Sequence, residues 1–296
     1  MLFERQRVLL TLLDALGGES TATDFQKLLF LYTQQEAEPS YEFVPYRFGC
    51  FSFTSYADKR RLIERGLLVD DEHQWQLTPA GHDAVRQAAV DPLVAAGFNR
   101  KHAALRGTPL VAEVYRRFPY YATRSEIVEK VLTSDEERER VNKARPSIAL
   151  AGLATIGYEG KSLEAYLNQL LKAGVTTLCD VRRNPLSRKY GFSKKTLSHA
   201  CEGVGIRYEH LPQLGIASEE RRDLKTQSDY DSLFAEYERK SLPNQGESLA
   251  KIEGWVTAGD SVALTCFELQ PQQCHRHCVA EAIERNSGSK LRARHL

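Results

Sequence analysis

The stretch from Val262 to Val279 holds a dense set of reactive side chains: Cys266, Glu268, Cys274, His275, Arg276 and Cys278. Its apolar start, Val262 to Leu264, reads as a buried strand that ends where the cysteine and glutamate appear. Two positions apart, Cys266 and Glu268 share one face if the extended backbone continues. A Pro/Gln turn then leads into a helix expected over 274–284. Cys274 would open that helix, where the dipole favours a thiolate, and Arg276 would add to the effect. This set suits a nucleophilic or redox thiol, with Glu268 as acid/base and His275 assisting. The plain alternative is that small thiols pack a tight strand–helix junction. Zinc held by Cys266, Cys274, Cys278 and one histidine is a minor alternative. The stretch lacks a Cys-x-x-Cys knuckle, so no residue is assigned to a metal and no cofactor is identified. Neither Cys266 nor Cys274 has an arginine six positions later, which excludes a phosphatase-type Cys-x5-Arg loop.

A second group lies around Asp180 and Arg182. From Arg183 to Lys195 the chain adds Arg188, Lys189 and Lys194 with no acid between them. Guanidinium forks suit phosphate oxygens, and a helix starting near Ser193 would add backbone donors. Asp180 is therefore a candidate catalytic carboxylate. Arg182, Ser187 and Arg188 are candidate ligand contacts, joined by Tyr158 and by Arg276. The competing reading is an internal Asp180–Arg182 or Asp180–Arg188 ion pair that ties a loop to the sheet.

These residues need elements that bring them together. Apolar runs at 148–156, 175–182, 206–210 and 260–265 alternate with helical patterns. That alternation predicts an α/β domain with a mostly parallel sheet and helices on both faces. Ligands in such domains gather beyond the C-terminal strand ends, where both reactive groups would fall. The preceding region is different. Helical spacing over 2–16, a helix capped by Thr23-Asp24, a helix over 53–65, a hairpin through Leu67–Leu77 and a helix after Thr78-Pro79 follow the order of a winged helix. Lys59, Arg60, Arg61 and Arg65 lie on its third helix as candidate nucleic-acid contacts, or as the solvated face of a protein-binding module. The highly charged run Ser134–Arg145 ends at Pro146. We place the domain boundary there, giving 1–146 and 147–296.

Composition sets outer limits. The 296 residues are 42% hydrophobic and 27% charged, with a formal net charge of +1. Wholesale electrostatic wrapping of nucleic acid is not expected at that charge, although a local patch is compatible with it. Six cysteines are too sparse for a disulfide scaffold. Early charges in Met1-Leu-Phe-Glu-Arg-Gln-Arg are unlike a secretory leader. No apolar run approaches the ~20 residues of a membrane span. A cytoplasmic protein is the expectation.

The blocks Thr155-Ile-Gly-Tyr-Glu-Gly, Asp180-Val-Arg-Arg-Asn-Pro-Leu-Ser-Arg188, Gly205-Ile-Arg-Tyr, Leu211-Pro-Gln-Leu-Gly215, Cys266-Phe-Glu and Cys274-His-Arg276 resemble, in order, the family called domain of unknown function 488. The resemblance covers about 150–296, and many members have Gly-His-Ser where this chain has Gly157-Tyr158-Glu159. In the first half, Asp24–Phe30, Phe43–Gly49 and Val114–Ala122 are similar to Panacea-type domains linked to toxin–antitoxin systems. Together these readings imply nucleic acid or a protein as partner of the first domain and a nucleotide-like or phosphorylated small molecule at the sheet edge of the second. A nucleotide- or DNA-processing enzyme in genome maintenance or phage defence is the leading expectation. A non-enzymatic ligand-sensing regulator or antitoxin-like protein is the alternative.

Overall fold

A computed structural model describes residues 2–87, 92–102, 104–147, 150–221, 224–288 and 290–296. They divide into two compact units, Met1–Arg145 and Pro146–Leu296.

The first unit is mainly helical: α1 (Glu4–Ala15), β1 (Glu19–Thr21), α2 (Ala22–Thr33), β2 (Val44–Tyr46), β3 (Gly49–Phe51), α3 (Phe53–Glu64), β4 (Gln74–Gln76), α4 (Pro79–Arg86), α5 (Pro92–His102), α6 (Gly107–Arg117), α7 (Val128–Val131) and α8 (Asp135–Lys143). Leu9, Leu12, Phe25, Leu28, Leu62 and Trp75 bury one continuous core, and removal of that apolar surface from water drives the assembly. Thr21, not Thr23-Asp24, caps α2, because its hydroxyl accepts the Asp24 N–H. The expected Leu67–Leu77 hairpin is present as a Leu68–Leu77 bridge. Its second strand, β4, also pairs antiparallel with β1, a partner the local pattern gave no reason to expect.

The second unit runs β5 (Gly152–Gly157), α9 (Leu163–Lys172), β6 (Thr177–Asp180), α10 (Lys194–Gly203), β7 (Arg207–His210), α11 (Gln227–Glu236), α12 (Gly246–Thr257), β8 (Ser261–Cys266), α13 (Arg276–Asn286) and β9 (Arg294–His295). Ile148 and Ala149, the expected start of the first strand, lie outside the described residues. The sheet is parallel throughout, in the order β7–β6–β8–β5–β9. Strands β6 and β8 are buried along their whole length, which is why they read as unbroken apolar runs. Helices α12 and α13 close one face over Cys179, Val262 and Leu264. On the other face, the Tyr166 hydroxyl of α9 donates to Thr265 Oγ1 at 2.7 Å, one residue out of phase with Leu264. The chain moves outward from β5 to β6 and β7, then re-enters at β8 between β6 and β5. The ends of β5, β6 and β8 therefore lie at the kind of crevice in which such sheets hold ligands.

Candidate functional site

Three strand ends build the edge, and two backbone approaches set its shape. A methyl group on Gly157 would lie 1.9 Å from the Glu268 carbonyl oxygen, so only glycine lets β5 meet the turn after β8. The two turns then interlock. Tyr158 and Glu159 donate their N–H groups to Phe267 O at 3.1 and 2.9 Å, and the Glu159 carboxylate accepts Leu269 N–H at 2.9 Å. Gly215 plays the same part further along: its added methyl would sit 2.0 Å from Arg183 N. The glycines of two separate sequence blocks are thus explained by close packing.

Asp180 and Arg182 meet as a buried bidentate pair, 0% and 6% exposed in their side chains. Arg182 Nε donates to Oδ1 at 2.8 Å and Nη2 to Oδ2 at 2.5 Å. The Tyr208 hydroxyl and the Arg182 backbone N–H also donate to this carboxylate. Arg182 Nη1 serves the Tyr158 hydroxyl at 2.9 Å and Phe192 O at 2.8 Å. Tyr158 lies flat on Phe192, with ring centroids 4.3 Å apart. Groups this far from solvent must be paired. The internal ion pair is therefore the arrangement found and it shapes the loop, while Arg182, with Tyr158 and Ser187, also lines the cavity at this edge. Ser187 is also a loop fastener, accepting the Lys189 N–H at 3.1 Å while Ser193 Oγ donates to its carbonyl.

Arg276 is likewise bonded within the fold. It is 1% exposed, and its Nη1 and Nη2 donate to the carbonyls of Glu268 and Leu269. It clamps the turn after β8, with its Nε buried and without a hydrogen bond among the described residues.

What does face the edge is a cavity of about 300 Å³ lined by Arg183, Arg188, Arg221, Cys266, Glu268 and His275, among others. Arg183 and Arg188 are exposed, and Arg188 forms no ion pair among the described residues. Glu268 pairs with Arg221 and lies 3.6 Å from Cys266 Sγ. Burial pulls its carboxyl upward, but the Arg221 guanidinium and a Cys274 hydrogen bond outweigh that and hold it below the ordinary value. Glu268 is thus a carboxylate at neutral pH, suited to accept a proton rather than supply one. Cys274 differs from expectation. It precedes α13 in extended conformation, after a tight Pro271–Gln273 turn, and does not cap the helix. Burial, with a hydrogen bond from Cys266, pushes its thiol well up instead of down. A free nucleophilic thiolate at this position is not supported. His275 Nε2 lies 3.0 Å from Val181 O and Nδ1 3.8 Å from Cys266 Sγ.

Residues 162–283 match the family model described as Domain of unknown function DUF488. The second unit carries a DUF488 domain. No curated protein and no solved structure matches the chain. The match opens at Ser162, the cap of α9, whose hydroxyl accepts Ala165 N–H at 2.9 Å. Gly157-Tyr158-Glu159 lies just upstream of it. Within the DUF488 domain, Arg221 is the site residue that sequence reasoning missed. It sits in a mixed-charge stretch, Glu219-Glu220-Arg221, with no periodicity to single it out. Only the fold carries it to Glu268.

In the first unit, Lys59 turns inward. It is 4% exposed and donates to Asp71 O and Gln74 O, both at 2.6 Å, with the Trp75 ring 5.0 Å away. This removes Lys59 from the expected nucleic-acid contacts, because its ammonium closes the hairpin. Arg60 and Arg61 on α3 and Arg65 just after it are exposed, with Arg61 3.7 Å from the buried Asp58 carboxylate. No helix among the described residues is long and apolar enough to cross a membrane.

Proposed function

We propose that the DUF488 domain binds a phosphorylated or nucleotide-like ligand at its sheet edge and processes it with Glu268 as general base. The observation that supports this most is the cavity itself. Cationic Arg183 and Arg188 line it together with an ionised, largely buried Glu268. Size narrows the ligand class. About 300 Å³ is the low end of the ~300–1,000 Å³ range of ligand pockets, which suits a sugar phosphate or one nucleotide unit. Arg183 and Arg188 would hold phosphate oxygens, and Arg221 keeps Glu268 ionised beside them. The first unit would bring a nucleic-acid partner through Arg60, Arg61 and Arg65 in a winged-helix-like arrangement.

A regulator that only senses the ligand would use the same arginines without needing Glu268 as a base. The test is to screen nucleoside mono-, di- and triphosphates and short oligonucleotides for binding and for turnover by the full chain. For an enzyme, Glu268→Gln keeps binding of the hit and lowers turnover by ~10²–10⁴-fold. Binding without turnover by either protein supports the sensor. Unchanged turnover in Glu268→Gln contradicts the proposed base.

A further inference from the structure

Apart from any phosphorylated ligand, Cys266, Cys274 and His275 form a cluster whose Sγ, Sγ and ring-nitrogen atoms all lie within 4.8 Å of one another. All three residues are buried, and both cysteines are free thiols. We propose that this cluster is a binding site for a thiophilic divalent metal ion of the zinc class, with Cys266 Sγ, Cys274 Sγ and His275 Nδ1 as ligands.

Four features of the geometry point this way. First, zinc–sulfur bonds of about 2.3 Å and zinc–nitrogen bonds of about 2.0–2.1 Å in a tetrahedron place a sulfur and a nitrogen about 3.6 Å apart. Cys266 Sγ and His275 Nδ1 are 3.8 Å apart. Second, the imidazole is oriented as in metal sites. With Nε2–H donating to Val181 O at 3.0 Å, the Nδ1 lone pair faces the sulfurs. Val181 lies between Asp180 and Arg182, so the buried ion pair fixes the carbonyl that fixes the histidine. Third, the charges close. Two thiolates neutralise a dication, and Arg221 neutralises Glu268, so the buried group carries no net charge. Fourth, the ligand set is open. Glu268 Oε2, 3.6 Å from Cys266 Sγ, and the cavity reaching Cys266 and His275 mark the side on which a fourth ligand would enter.

The set differs from the one the sequence suggested. Cys278 is directed to His277, with its Sγ 3.5 Å from Nε2, and does not join the cluster. The sequence already placed Cys266, Cys274 and one histidine among possible zinc ligands, and the fold selects His275 as that histidine. Binding removes one proton from each thiol, so each metal ion taken up releases about two protons to solvent and affinity falls with acidity.

The test is a titration of the reduced, metal-free full chain with Co²⁺ alone, followed by displacement with Zn²⁺. The expected result is roughly one equivalent bound per chain, with tetrahedral ligand-field bands and thiolate-to-cobalt charge transfer that Zn²⁺ abolishes. Cys266→Ser, Cys274→Ser and His275→Ala each weaken uptake at least ~10-fold, whereas Cys278→Ser and Cys179→Ser retain it. The wild-type spectrum stands even if a variant fails to fold. Absence of thiolate charge transfer, or full uptake by Cys266→Ser and Cys274→Ser together, overturns the assignment. So does reduced protein that takes up no metal and instead oxidises to a Cys266–Cys274 disulfide. None of these readings depends on a phosphorylated ligand.

Discussion

Replacing Asp180 by asparagine tests whether the sheet edge is organised by a buried charge pair. The Asp180 carboxylate receives Arg182 Nε, Arg182 Nη2, the Arg182 backbone N–H and the Tyr208 hydroxyl, and is fully buried. Asparagine offers one acceptor oxygen and turns an amide donor toward donors. Arg182 then keeps its charge, 6% exposed, without a counter-charge. Breaking a buried pair in this way costs about 3–5 kcal/mol, a large share of the ~5–15 kcal/mol that holds a domain folded. At ~2–4 °C per kcal/mol for a unit of this size, the second unit should melt roughly 6–20 °C lower. The two tryptophans, Trp75 and Trp255, fall one in each unit. In a Trp75→Phe background, Trp255 fluorescence therefore reports the second unit alone. Asp180→Asn with Arg182→Met removes the stranded charge, so its cost should fall short of the sum of the single costs by ~0.5–3 kcal/mol. A single cost below about 1 kcal/mol, or strictly additive costs, would refute the organising role of the pair.

Three further outcomes follow from the same physics. Gly157→Ala forces its methyl into the Glu268 carbonyl, so the second unit should lose more than about 1 kcal/mol in denaturant titration, whereas Gly246→Ala, with open space around it, should not. Lys59→Met strands the Asp71 and Gln74 carbonyls and should destabilise the first unit by about 1–3 kcal/mol, while Arg60→Ala leaves its melting unchanged and weakens any duplex binding in a gel-shift salt series. Burial pushes the Cys50 thiol up from 9.0 to about 11; its contribution to stability is complete below pH 9 and is lost as pH rises through 11, so the first unit should weaken with pH more steeply in the wild type than in Cys50→Ala.

The sequence made the sheet legible because central parallel strands are buried on both faces and show as continuous apolar runs: β6 and β8 need no partner to be recognised. Short pieces were not legible. Strand β1 has three residues and pairs with β4, and β9 has two and pairs with β5; both depend on distant chain rather than on pattern. For the site, residue type located the edge but not each role. Asp180, Arg182 and Arg276 look reactive in a string, yet each bonds to neighbours only the fold supplies. Cys274 reads as a helix-start thiol until Pro271 shows why the helix waits for Arg276. Arg221 had no signal at all.

Arg183 and Arg188 are proposed to form a phosphate-binding edge. The most direct test is calorimetric titration of the full chain, at fixed low salt, with the tightest-binding nucleotide against the matching nucleoside that lacks phosphate. The nucleotide alone should bind, and about 10–100-fold more weakly in Arg188→Ala, as expected for loss of hydrogen bonds to a charged group at ~1.5–3 kcal/mol. Equal affinity for nucleotide and nucleoside, or an unchanged affinity in Arg188→Ala, would contradict the proposal.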